Sequence, residues 1–347
     1  MNLHEKYMLL CFKLARCGAG FVAPNPMVGA VLVYKDAIIG TGFHRKYGEA
    51  HAEVNCINSV TIEHRPFISD STLYVSLEPC SHTGKTPPCV DFILQHEIKR
   101  VVIGCKDLAS HVNGKGISKL RENGVEVLEN ILVEQACELN KRFFTFHQQR
   151  RPYILLKLAI AADGFISKYH ESTKLTSVET DRHTHKWRAE EDAIWIGYQT
   201  AYTDNPQLNV RWVHGKNPTR IIFDRNLTLP PMLNIFNNQQ PTIVFNTMIN
   251  RSEGLIEFVK IDEEHFIDEA LKTLFQRNIL SVIIEGGAKL VSEFIGKNLW
   301  DEARFIFTEH LLQDGVKAPL ISDSYMSHTY TVNHDIIKVF KNPNLRT

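Results

Sequence analysis

Two α/β domains in tandem are what this sequence predicts, and three observations predict them. Apolar runs suited to buried strands alternate with amphipathic helical stretches along both halves of the 347 residues, a pattern that gives sheets covered on both faces. All seven cysteines (Cys11, Cys17, Cys56, Cys80, Cys89, Cys105 and Cys137) lie in the first 137 residues, so the two halves carry different chemistry. Between them, HQQRRP (147–152) is polar, charged and ends in proline. The expected domains are therefore residues 1–147 and 148–347, a length that suits two domains better than one.

The elements follow in order. In MNLHEKYMLLCFKLAR, Leu3, Tyr7, Leu10, Cys11 and Leu14 recur at helical spacing; charges interrupt the run, so it reads as a domain helix and not as a signal peptide. GAVLVYKDAIIGTGFH predicts a strand at Ala30–Tyr34, a tight turn at Lys35-Asp36 and a return strand to Phe43. A helix is expected to start near His51 and a strand to occupy Thr72–Leu77. Pro87-Pro88 then open a helix over Cys89–Glu97, because proline is tolerated in a helix's first turn. A buried strand at 100–105, a short strand at Val125–Leu128 and a helix over Leu132–Phe144 complete the first set. The second set has strands near 153–161, 193–197, 220–223, 242–245, 256–259, 281–284 and 303–307, with helices near 178–190, 268–276 and 288–296.

Composition excludes several classes. Lys+Arg and Asp+Glu number 39 each, which argues against partners that reward a basic surface, nucleic acid and anionic membranes among them. No apolar run approaches the ~20 residues that span a bilayer. An odd number of cysteines without a secretion signal suits reduced thiols and a cytoplasmic location.

The chemistry is concentrated in HAE (51–53) and LEPCSHTGKTPPC (77–89). One imidazole and two thiolates, from His51, Cys80 and Cys89, form a borderline-soft set that suits Zn²⁺. Structural zinc takes four protein ligands, whereas catalytic zinc takes three and leaves a position for water. Residues two apart on a helix diverge by ~200°, so His51 and Glu53 converge only at a helix start. Cys89 sits at another predicted start, where the helix dipole favours thiolate. This is the set used by nucleobase deaminases, in which a non-ligand glutamate of H-x-E moves the protons; Glu53 is the candidate. A structural zinc or unrelated buried cysteines is the bland alternative. Two decoys fail: Gly18–Ala23 follows a helix instead of a strand, and Gly84-Lys85-Thr86 lacks the earlier P-loop glycine, Pro79 standing there.

Eight residues separate Cys80 from Cys89, more than the generic deaminase motif allows. With that gap, APNPMVGAVLV, HAE and LEPCSHTGKTPPC resemble the deaminase half of the bifunctional riboflavin-biosynthesis enzymes. The resemblance implies a cytidine-deaminase-like α/β/α domain that acts on a diaminopyrimidine carrying ribosylamino phosphate. It also implies substrate contacts from Asn25, His44 and the Ser81–Thr86 loop, with Lys85 meeting the phosphate. Read alone, His44 would be an ordinary surface histidine and Lys85 a solvated loop lysine. HVNGKG (111–116) resembles a family loop and receives no role.

The resemblance continues through RPYILLKLAIAADG (151–164), ESTKLTS (171–177), 183–211, IIFDRNLTLP (221–230) and IIEGGAKLVSEF (283–294). It implies a dihydrofolate-reductase-like α/β domain and hydride transfer from NADPH to the opened ribose. Position by position, it implies NADP contacts at Ala159, Lys174, Thr200, Asp204, Arg225 and at Gly287, Ala288, Lys289, Leu290, Val291, Ser292 and Glu293. Substrate contacts fall on Ser172, Arg188, Leu208, Arg211 and Glu285. Arg188 and Arg211 suit a phosphate, since a guanidinium grips two oxygens, and Lys157 is placed to polarise the sugar. Glycines between a strand and a helix N-terminus fit a pyrophosphate, although a plain tight turn has the same sequence. Two departures stand out: Ala161-Ala162 replace a family Ser-Leu, and Lys174 replaces a tryptophan. His183 and His185, two apart on a helix, are not expected to form a second metal site.

The expected enzyme deaminates, then reduces, a small phosphoribosylaminopyrimidine, using one zinc ion and NADPH. It binds neither nucleic acid nor membrane, and a homo-oligomer is expected. The runner-up is a deaminase of tRNA or free nucleosides with an appended binding domain; the third is a binding protein clamped by structural zinc.

Overall fold

The computed structural model describes residues 2–108 and 114–343, and its contacts divide the chain into two compact units, Met1–Arg150 and Arg151–Thr347. Among the described residues no helix is long and apolar enough to cross a membrane.

The first unit is built on five strands: β1 (Gly29–Tyr34), β2 (Ala37–Phe43), β3 (Thr72–Leu77), β4 (Arg100–Cys105) and β5 (Glu126–Leu128), in the order β2-β1-β3-β4-β5. The turn at Lys35-Asp36 has positive φ at both residues, the geometry that matches hairpin twist. β1 pairs antiparallel with β2 and β3, while β3, β4 and β5 run parallel. Helix α1 (Leu3–Arg16) packs on β1 and β3. Helices α2 (Ala52–Asn58), α3 (Cys89–Gln95) and α4 (Lys115–Glu122) bring Ala52, Cys56, Ile93 and Leu120 to a core shared with Leu32, Leu73, Val75 and Ile103. Each such aliphatic side chain contributes about 1.5–3 kcal/mol by leaving water. Gly42 is required here: a Cβ would lie 2.3 Å from the Cys56 nitrogen, so its absence lets α2, which carries the site, lie against β2.

The single helix expected over Leu132–Phe144 is two, α5 (Val133–Leu139) and α6 (Lys141–Gln149). Asn140 breaks them because its side chain is engaged elsewhere: it accepts from Met27 N (2.8 Å) and donates to Met27 O (3.0 Å). The expected linker at 147–152 is correspondingly shorter. α6 continues through Gln149, and Arg150 ends it in the left-handed conformation. Helix α4 was not anticipated; residues 111–113 of the HVNGKG stretch before it lie outside the described residues.

The second unit contains β6 (Tyr153–Ile160), β7 (Phe165–Ser167), α7 (Val178–Glu190), β8 (Ala193–Ile196), α8 (Tyr198–Asp204), β9 (Thr219–Phe223), β10 (Thr242–Asn246), β11 (Arg251–Glu253), β12 (Ile256–Lys260), α9 (Phe266–Gln276), β13 (Ser281–Glu285), α10 (Ala288–Gly296), β14 (Glu302–Phe307), β15 (Val316–Lys317), β16 (Met326–Val332) and β17 (Asp335–Lys341). Ten of these strands form one sheet in the order β11-β12-β10-β9-β8-β13-β6-β14-β17-β16, parallel from β12 to β14 and antiparallel at both edges. Both faces are buried: Leu156, Trp195 and Ile284 pack with α9 and α10 on one side, and Leu155, Ile194 and Ile283 with Trp187 of α7 on the other. That two-sided burial explains the continuous apolar runs. Missing from the expected set were α8, which is short and polar, the short strands β7, β11 and β15, and the terminal hairpin β16–β17.

Candidate active sites

His51 is the N-cap of α2, in extended conformation (φ −74°, ψ 171°), and Glu53 follows in the first turn. The ragged helix start thus lets both face one point. Cys80 arrives from the loop after β3 and Cys89 from the first turn of α3. His51 Nδ1 stands 3.2 Å from Cys89 Sγ and 3.5 Å from Cys80 Sγ, and the Cys89 amide donates to Cys80 Sγ at 3.3 Å. The three ligand atoms lie within 4.8 Å of one another, and among the described residues no fourth side chain joins them. The donor set fits a zinc ion with an open position. Cys89's hydrogen bond, and then His51's, hold the Cys80 thiol well below its usual range; the bond with Cys80 and burial raise Cys89 in return. Hydrogen bonding with Cys80 raises the pKa of His51. Glu53 is 3 % exposed, and burial pushes its carboxyl up to about 7.

The surroundings add detail to the expected residues. His44 is buried, not a surface histidine. Its Nδ1 faces Ala50 O (3.1 Å) and its Nε2 faces Asn25 Nδ2 (3.1 Å), which can only donate; Nδ1 therefore carries the proton and the ring is neutral. Burial accordingly lowers its pKa. Asn25 and His44 act as a pair, with the His44 ring edge-on to His51 at 5.1 Å. Thr86 Oγ1 stands 3.5 Å from His51 Nε2, so this loop residue orients the imidazole. The Lys85 ammonium rests 4.1 Å from the centre of the Tyr47 ring.

Two residues that sequence reasoning missed frame this site. Asn140 anchors the loop that carries Asn25, through Met27. Glu78, only 4 % exposed, accepts four backbone N–H groups: Asp107 (3.2 Å) and Gly114 (2.9 Å) on Oε2, Gly116 (2.9 Å) and Ile117 (3.3 Å) on Oε1. It thereby caps α4 from the strand end that leads to Cys80. Nothing in the LEPC spacing separates this carboxylate from a ligand or a surface residue.

In the second unit a cavity of about 400 Å³ opens at the ends of β6, β13 and α8. Of the expected residues it gathers Lys157, Ala159, Thr200, Asp204, Gly287, Ala288 and Lys289. Gly286 and Gly287 have φ of 83° and 80°, and a Cβ at either would meet Thr200 at 3.2–3.4 Å. Helix α10 starts at this turn with no side-chain cap, so its first amides can meet phosphate. Val291 N already bonds to Gly287 O, and the Leu290 and Val291 side chains are core; for these two a ligand contact through the side chain is ruled out. Ser292 and Glu293 lie in the following turn, and the cavity does not reach them. Leu208 is likewise buried. Arg225 is paired with Glu263 and does not line the cavity. Burial raises the Asp204 carboxyl pKa, and the nearby Ser172 hydroxyl opposes it. The Lys174 side chain reaches Asp181 (3.1 Å), while its neighbours Thr173 and Leu175 line the cavity.

Arg188 departs most from expectation. Its fork is already taken, Nε donating to Glu285 Oε1 (2.6 Å) and Nη2 to Oε2 (2.8 Å), and Lys157 Nζ completes the group at 3.6 Å. Arg188 and Lys157 hold the buried Glu285 carboxyl down at about 2, against the opposing effect of burial. Among the described residues, the Arg211 side chain donates to Asn209 Oδ1 (2.9 Å) and lies over the Trp212 ring, 5.6 Å from its centre.

Residues 152–331 match the RibD C-terminal domain, and residues 1–105 match the cytidine and deoxycytidylate deaminase zinc-binding region. The chain belongs to the RibD family. Riboflavin biosynthesis protein RibD of Bacillus amyloliquefaciens is 37% identical, over 96% of this chain and 91% of that one. The protein of the same name from Aquifex aeolicus is also 37% identical, over 91% and 89%. The crystal structure of a diaminohydroxyphosphoribosylaminopyrimidine deaminase/5-amino-6-(5-phosphoribosylamino)uracil reductase from Thermotoga maritima superposes with a TM-score of 0.90 at 32% identity, covering 98% of each chain. RibD of Acinetobacter baumannii gives 0.88 at 31% identity over 97% and 98%. As a member of the family, this chain joins a zinc-binding deaminase domain to a reductase domain, two activities of riboflavin biosynthesis.

Proposed function

We propose that the chain hydrolytically deaminates 2,5-diamino-6-(5-phosphoribosylamino)pyrimidin-4-one, releasing ammonia, and then reduces the ribosyl group of 5-amino-6-(5-phosphoribosylamino)uracil to ribityl with NADPH. The observation that carries this reading is a three-ligand cluster, His51, Cys80 and Cys89, with a buried non-ligand carboxyl beside it. A zinc ion held there would supply Lewis acidity to the attacking water. Glu53 takes one proton from that water and passes it to the ring nitrogen, then carries the second, left on the new hydroxyl, to the amine, which departs as ammonia as the carbonyl forms; a carboxyl near 7 is suited to both transfers. The Asn25–His44 pair orients the pyrimidine, and Lys85, steadied on Tyr47, meets the phosphate.

In the reductase half, Gly287, Ala288 and Lys289 with Ala159, Thr200 and Asp204 hold NADPH, Lys174 contributing through its backbone. Lys157, aligned by Glu285, polarises the sugar carbon that receives hydride. Arg211 grips the substrate phosphate, while Arg188 acts by fixing Glu285. Unpaired cysteines support a cytoplasmic location, and balanced charge supports the absence of nucleic-acid or membrane partners; a homo-oligomer completes the proposal, and the mass in solution tests it.

Mass spectrometry of products from the diaminopyrimidine tests the sequence of steps. A one-step product without NADPH, and that product's two-hydrogen adduct with it, are expected. Reduction in a sample that never deaminates would refute the order.

A further inference from the structure

We propose that His185 is a positioning residue of the reductase half: its Nδ1 accepts the backbone N–H of Arg211 and its ring carries Trp212, which fixes residues 209–212 and aims the Arg211 guanidinium at the anionic end of the substrate. This rests on the reading that Arg211 meets the phosphate.

His185 lies on α7 three residues before Arg188, on the same side of the helix, and is 3 % exposed. The Arg211 amide stands 3.2 Å from Nδ1. A backbone N–H can only donate, so Nδ1 carries no proton and the ring proton sits on Nε2. The Trp212 ring stacks on the imidazole at 5.3 Å and 18°. Burial, then the Arg188 and Arg211 charges, keep the imidazole uncharged at neutral pH, with Glu285 and Asp181 opposing them. A protonated ring would present a donor to a donor.

The rest of the segment is tied at other points. Arg188 Nη1 reaches Asn209 O (3.4 Å), and Val210 N donates to Asn217 Oδ1 (2.8 Å). Among the described residues, only the His185 bond acts on the backbone of Arg211 itself. Chemically, one end of α7 thus sets both arginines: Arg188 clamps Glu285 directly, and His185 sets Arg211 through the main chain.

The test uses the full-length enzyme, with NADPH oxidation measured on the deaminated phosphoribosylamino substrate. His185→Phe keeps a ring for Trp212 and removes the acceptor. His185→Asn places an oxygen near the Nδ1 position. The expected result is a rise of about fivefold in substrate KM for His185→Phe, one hydrogen bond's worth, with kcat and the KM for NADPH within twofold. His185→Asn is expected to restore substrate KM to within twofold. An unchanged KM in His185→Phe, or equal damage in His185→Asn, overturns the proposal in favour of plain packing. Arg211→Ala, run alongside, separates the two ideas: if it leaves substrate KM unchanged, the phosphate reading itself has failed. Should His185→Phe not fold, ¹⁵N shifts of the wild-type imidazole decide the geometry. A protonated Nε2 with a bare Nδ1 supports the proposal, and an Nδ1–H overturns it.

Discussion

In the deaminase centre, the groups proposed to do the chemistry come from residues 51 to 89 and meet at two helix starts. In the reductase centre they come from residues 157 to 289, carried by β6, α7, α8, β13 and α10. The first is a compact cluster whose electrostatics are governed by sulfur, imidazole and one buried carboxyl. The second is a chain of ion pairs, Arg188–Glu285–Lys157, at the edge of an open cavity. Clustered groups make their identity decisive, because each is irreplaceable at its vertex. Distributed groups make their alignment decisive, because each is held in place by another.

Two substitutions sharpen that contrast. The larger effect is expected from Cys89→Ala, which removes one of three ligands. Metal analysis should show loss of zinc, and ammonia release should fall to background, while NADPH oxidation on the deaminated substrate persists. Retained stoichiometric zinc would mean that the cluster is not the metal site. Glu285→Gln is expected to act more gradually. It keeps the shape but releases Lys157 and Arg188, and a misplacement of ~1 Å at a reacting centre costs about 10²-fold. Reductase kcat should fall by about that factor with deamination untouched.

The same residue carries a pH signature. Its folded pKa of about 2 lies below the ordinary 4.5, so the stabilisation is complete above about pH 4.5 and is lost as pH falls towards 2. That stabilisation is worth on the order of 3 kcal/mol as an upper bound, since desolvating the pair offsets part of it. Melts of wild type and Glu285→Gln between pH 6 and 3 should converge as the pH drops. Curves that stay parallel would remove Glu285 from the acid dependence.

Legibility in the sequence followed the same divide. His51, Glu53, Cys80 and Cys89 were readable because metal chemistry restricts residue type and helix geometry restricts spacing. The central strands of both units were readable from apolar runs, since both sheet faces are covered there; the outer strands β11, β16 and β17 and the small pair β7 and β15 were not. Glu78 and Asn140 were not, because their partners are main-chain groups far along the chain, and a carboxylate that caps α4 from β3 leaves no periodic trace. For Arg188, the sequence offers two arginines suited to a phosphate, and the fold adds that Glu285 occupies the fork of this one. For Lys174, the departure from the resembled pattern, the structure shows where the new side chain goes. Its side chain points to Asp181, which leaves its backbone free of that change.

The account stands on Glu53 acting on protons and not on metal. The direct measurement is zinc content and ammonia release from Glu53→Gln in the same preparation. One zinc per chain is expected, with deamination reduced about 10³-fold and NADPH-dependent reduction of the deaminated substrate unaltered. Deamination at the wild-type rate, or loss of zinc with the carboxylate, would contradict it.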